Sequence, residues 1–141
     1  KGKSVFKNNI IYLEHESYFI KELNLRIFGS PFTPKFVGGF QISSKNISKQ
    51  IWNKIPNNID ILISHGPPKN ILDITSRGMS VGDNELYNHV MNRIKPKIMI
   101  FGHVHESFGI KQINGIKFVN CAVYNGIYKR LNRIKPVIIE L

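Results

Sequence analysis

The sequence predicts an α/β domain with mixed strand directions, and three observations carry that expectation. Short apolar runs of strand length alternate with two segments of helical apolar spacing. A strand, helix, strand succession over residues 59–101 makes a βαβ unit, whose strands should run parallel. Asn114-Gly115, set between two apolar runs, is a strong signal for an antiparallel hairpin. With 141 residues, 42% of them hydrophobic, the chain can build the core of one domain or of a large piece of one.

Taken in order, residues 10–13, 18–20 and 25–28 are apolar runs predicted as strands of a meander. Residues 29–40, GSPFTPKFVGGF, form a loop, because Pro31, Pro34, Gly38 and Gly39 oppose regular structure. Its aromatics Phe28, Phe32, Phe36 and Phe40 are expected to pin it down as local core. Ser43 or Ser44 caps a helix running to about Lys54, with Ile47, Ile51, Trp52 and Ile55 at helical spacing and Pro56 beyond. Residues 59–63, apolar but for Asp60, suit a strand covered on both faces.

After SHGPP a loop runs to about Gly82. Ser80-Val81-Gly82-Asp83 matches a capping box. The helix it starts buries Leu86, Val90, Met91 and Ile94 and stops at Pro96. Residues 97–101 are the next buried strand, residues 110–113 and 116–119 the hairpin, and residues 137–141 a last strand after Pro136.

The formal net charge is +11, but the cations scatter from Lys1 to Lys135 within a general bias toward Ile, Asn and Lys. No basic stripe interleaves with aromatics, which argues against nucleic acid as the primary partner. The same positive field favours an anionic phosphate substrate. One cysteine, Cys121, excludes an internal disulfide, so a reducing, cytoplasmic setting is expected. No apolar run reaches about 18 residues, so no transmembrane helix is expected. The start, KGKSVFKNNI, shows no signal peptide and no initiator Met, and reads as the continuation of a longer chain.

Both strands of the βαβ unit end in histidine, at Ser64-His65-Gly66 and Phe101-Gly102-His103. Ligands of open α/β sheets bind beyond the carboxyl ends of the strands, so His65, His103 and His105 are expected to converge there. Gly102 allows close backbone approach, and Gly66 a sharp exit from the strand. If the segment stays extended, His103 and His105 share a side while Val104 points to the core. Three neutral imidazoles suit a borderline ion such as Zn²⁺. His15, between Glu14 and Glu16, and His89, off the buried helical face, are expected to be ordinary polar residues.

ILISHGPP followed by FGHVHESFG resembles the second half of the calcineurin-like metallophosphoesterases. GSPFTP at residues 29–34 and FVNCAVYNG at residues 118–126 narrow the resemblance to the metallophosphoesterase-domain-containing branch. It covers nearly the whole chain. The resemblance implies a layered α/β sandwich with mixed sheets, of which residues 1–141 would be the C-terminal part, the N-terminal half being absent. It implies two divalent ions, Mn, Fe, Zn or Mg, with His65 and His103 on one and His105 on the other. It further implies hydrolysis of a phosphate ester, from a small molecule or a nucleotide. The family's Asp-x-His, Gly-Asp and Gly-Asn-His motifs lack counterparts here. Before His65 the acidic residues are Glu14, Glu16, Glu22 and Asp60, none in such a motif. The expected partner is therefore the missing N-terminal half, and this chain alone is expected to be inactive. The rival expectation is an inactive half-domain that binds a metal or a protein. Around the histidines, Glu106 and Asn120 are candidates to support the ligands, and Gly66, Ser30 and Thr33 to lie on the substrate side. Arg77 is placed to meet a phosphate, and Cys121 is expected to be buried and inert.

Overall fold

The structure, a computed structural model, describes residues 10–123 and 138–139. Its centre is a six-stranded sheet built from β1 (Glu16–Ile20), β2 (Leu25–Ser30), β5 (Ile61–Ser64), β6 (Ile98–Phe101), β7 (Gly109–Ile113) and β8 (Ile116–Asn120). The order across the sheet is β1-β2-β5-β6-β8-β7. The four inner strands run parallel, and each edge strand is antiparallel to its neighbour. Mixed directions follow from the connections. The β1–β2 and β7–β8 links are tight turns, whereas β5 reaches β6 through a helix. Asn114 and Gly115 both take positive φ, 50° and 80°, as a twisted two-residue hairpin turn requires.

Register places Phe28, Leu62, Met99 and Phe118 side by side on one face. Against them pack Trp52 and Ile55 at the end of α1 (Lys45–Asn53), and Leu86, Val90 and Ile94 of α2 (Asn84–His89) and its continuation as a π-turn over Val90–Ile94. Full burial of each such side chain contributes about 1.5–3 kcal/mol. Asp83 joins the two helices. It caps α2 by accepting from the Leu86 amide at 2.8 Å, and it accepts from the Ser48 hydroxyl of α1 at 2.7 Å.

Several expectations need correction. Residues 10–13 form no strand; they precede β1, and Ile10 and Ile11 stay exposed. The 29–40 loop contains a two-residue strand, β3 (Thr33–Pro34), paired parallel with β4 (Gln41–Ile42). Of the two candidate caps, Ser44 is the one that caps α1, whereas Ile47, expected on the buried face, is exposed. Ser80 does not open α2, because its hydroxyl donates to the Asp73 carboxylate; Asp83 is the cap instead. Among the described residues, helices cover the β5 strand on one face only. Both helices lie on the Leu62 side, and Ile63 on the other is 39% exposed. The strand expected over residues 137–141 falls largely outside the described residues. No helix among them is long and apolar enough to cross a membrane.

Candidate functional site

The parallel pairing of β5 with β6 brings their carboxyl ends together, and the histidines follow. The His65 amide donates to the Ser30 carbonyl and the Gly102 amide to the His65 carbonyl, which carries the ladder one residue past the strands. His65 Nε2 and His103 Nδ1 stand 3.1 Å apart, with ring centroids at 4.9 Å. Burial lowers the pKa of both imidazoles, and for His103 the neighbouring His65 and His105 lower it further. Both rings are therefore neutral at pH 7, with one nitrogen lone pair each for a ligand.

Nitrogens bound to one ion at about 2.0–2.1 Å and separated by roughly 90–109° stand roughly 2.9–3.4 Å apart. The pair fits two adjacent positions of such a shell. Among the described residues no group of three or more His, Cys, Asp or Glu completes it.

The segment after β6 is not extended. His103 takes a left-handed φ of 71°, and His105 begins a short 3₁₀ turn, His105–Ser107. Val104 points inward, as expected, at 3% exposure. His105 lines the same cleft as His65 and His103. The cleft, about 1040 Å³, lies between the 31–40 loop and the 75–81 loop, with Lys35, Arg77 and Thr33 among its lining.

The supporting residues are placed as follows. Asn120 is fully buried and donates to the carbonyls of Leu72 and Val104, while its side-chain oxygen accepts from the Ala122 amide. It thereby joins the histidine loop to the SHGPP loop. Glu106 accepts from the Ser76 amide at 3.2 Å, and backbone donors, its own amide first, hold its carboxyl below the usual range. Gly66 is required by close approach: a Cβ there would lie 2.7 Å from Thr33 Oγ1 and 3.1 Å from Pro34 Cδ. That contact, rather than the strand exit, explains the glycine. Thr33 Oγ1 is buried without a hydrogen-bond partner. Ser30 faces the interior, where its hydroxyl meets His15 Nδ1 at 3.1 Å. Cys121 is exposed, contrary to expectation, although its thiol lies 3.1 Å from the Phe101 carbonyl.

Sequence reasoning passed over two organisers. Asp73, fully buried, accepts through Oδ2 from the Asn70 and Gly82 amides and shapes the loop behind the cleft. His15 is caged by Phe28, Phe32 and Trp52 and contacts the Ile51 carbonyl at 3.0 Å. An Asp three residues after an Asn, in a loop rich in turn formers, was the available signal for the first. His15 carried none.

Human metallophosphoesterase domain-containing protein 1 is 38% identical to this chain over 135 residues, which covers 94% of the chain and 40% of the relative. The mouse protein of that name gives the same figures. A UPF0046 protein of Caenorhabditis elegans is 35% identical over 135 residues, covering 95% of the chain and 33% of the relative. One solved structure superposes with a TM-score of 0.51 at 19% identity, over 78% of this chain and 45% of its own, a likeness of fold alone. No family model matches the chain. The chain spans about 40% of the length of the human and mouse relatives. Identity at this level along nearly the whole chain shows it to be part of a metallophosphoesterase-domain-containing protein.

Proposed function

We propose that this chain supplies one wall of a metal-dependent hydrolase of phosphate esters. The observation that carries the reading is the neutral His65–His103 pair, 3.1 Å apart at two parallel strand ends and open to a cleft bearing Lys35 and Arg77. In hydrolysis a water oxygen forms a new bond to phosphorus, the bond from phosphorus to the leaving oxygen breaks, and a proton from the water ends on the alcohol. Divalent ions, when bound, acidify that water and neutralise charge on the phosphoryl oxygens. His65 and His103 would hold such an ion, with His105 on a second. Lys35 and Arg77 attract the anionic ester. Asn120 ties the loop that follows His65 to the loop that carries His103 and His105.

The test uses the protein at the length its gene encodes, with metal content and hydrolysis of bis-p-nitrophenyl phosphate in Mn²⁺ as readouts. His65→Ala and His103→Ala should each weaken metal binding by at least about 100-fold and abolish turnover, with the melting temperature of the metal-free protein unchanged. Unaltered metal content in both variants overturns the reading. The two-nitrogen set among the described residues also favours a second reading, a non-catalytic metal-binding module. Bound metal without turnover in the wild-type protein would select it.

A further inference from the structure

The 31–40 loop was expected to be pinned by four aromatics, yet Phe36 is not used that way, whereas Phe40, though 45% exposed, still meets the Phe32 ring edge-on at 5.9 Å. Phe28 is 3% exposed and packs in the core, and Phe32 stacks edge-on with His15 and Trp52. Phe36 remains 68% exposed and Val37 84%. Large apolar groups left in water cost free energy, and when they line a concavity they mark a binding surface. These two line the cleft, as does Met79 of the facing loop, itself 52% exposed.

The tip that carries Phe36 is held in place. The Gln41 side chain accepts from the Phe36 amide at 3.2 Å and donates to the Gly38 carbonyl at 3.0 Å, and Gly38 has a φ of 123° that few side chains tolerate. The Phe36 ring meets the His103 ring edge to face, with centroids 5.4 Å apart and planes at 84°. A preorganised aromatic plane thus stands directly beside a candidate metal-ligating imidazole, in a cleft whose cations are Lys35 and Arg77.

We infer that this cleft takes phosphate esters whose organic group is a planar aromatic ring, with that ring against Phe36 and between the Val37 and Met79 side chains. The phosphate end of this inference rests on the proposed function; the aromatic end rests on the exposed wall. An aromatic group has both a face for Phe36 and an edge for the aliphatic side chains, whereas a methyl or glyceryl group would leave the wall in water.

The experiment compares phenylphosphonate with methylphosphonate, two non-hydrolysable probes, by calorimetric titration of the gene-length protein with and without Mn²⁺. Turnover of phenyl phosphate and methyl phosphate is followed by phosphate release. Phenylphosphonate should bind about 10-fold more tightly than methylphosphonate. Phe36→Ala and Phe36→Leu should each remove most of that preference while leaving methylphosphonate unaffected. Both changes lie at an exposed tip, so folding is checked by an unchanged melting temperature. Equal affinities, a preference that survives both substitutions, or no binding of either probe at millimolar concentration overturns the inference. A phenyl preference without turnover upholds the aromatic subsite and sinks the hydrolase. Turnover with no phenyl preference does the reverse.

Discussion

Desolvation inside the cage of Phe28, Phe32 and Trp52 lowers the pKa of His15 below 6.5, and Lys54 adds to the shift. The neutral ring donates to the Ile51 carbonyl and accepts from the Ser30 hydroxyl; a proton on Nδ1 reverses the second bond and places a charge inside the aromatic cage. Because the unfolded chain binds that proton more readily, the stability contributed by the neutral ring is full above pH 6.5. It is lost as pH falls from there toward the lower folded value. The urea midpoint should therefore drop between about pH 7 and about pH 5. His65, His89 and His103 shift in the same direction, so the diagnostic is a difference between proteins. His15→Gln should flatten part of the profile, and superimposable profiles would count against this role. Asn120→Ala removes three buried hydrogen bonds and should cost about 2–4 kcal/mol in the same denaturation assay. At this scale the strand-end histidines were legible because strand length and direction fix where a strand ends. His15 was not, since a backbone φ of 59° turns it inward from between two glutamates, and no periodicity reports that.

Polar contacts tie the helices together: Asp83 accepts from Ser48, Lys45 pairs with Glu85, and Arg93 donates to the Trp52 carbonyl. Asp83→Ala loses the α2 cap and strands the Ser48 hydroxyl, so it should destabilise by about 1–3 kcal/mol; Ser48→Ala should cost less. Gly66→Ala forces the Thr33–Pro34 strand away from the SHGPP loop, at about 1–3 kcal/mol, measured as a shift of the urea midpoint without a change of slope. The βαβ unit and the Asn114-Gly115 hairpin could be read in advance because each is decided by local pattern. The start of α2 could not: Ser80 and Asp83 are both good caps, and a distant-looking Asp73 claims the first. Likewise, four aromatics four residues apart look alike in sequence, and only the tertiary packing shows that Phe28 and Phe32 turn inward, Phe40 leans on Phe32 and Phe36 stays open to the cleft.

At the scale of the fold, the helices among the described residues all pack on one side of the sheet. The other side presents Ile27, Ile61, Ile63 and Ile100, all partly accessible. A continuous apolar run reads the same whether one side or both are covered, which is why the sequence suggested two. Residues 1–141 expressed alone should bind the dye ANS, and Ile63→Lys should reduce that fluorescence; equal signals would show that this side is not what the dye senses. The His65–His103 pair has a kinetic corollary. Its members are 38 positions apart and meet only when β5 and β6 have zipped together. Bringing them together in a disordered chain costs on the order of 3 kcal/mol in loop closure. Uptake of a chelatable ion during refolding should thus lag behind hairpin formation and coincide with parallel pairing, so the rate of metal capture clocks the slowest, most non-local step of assembly.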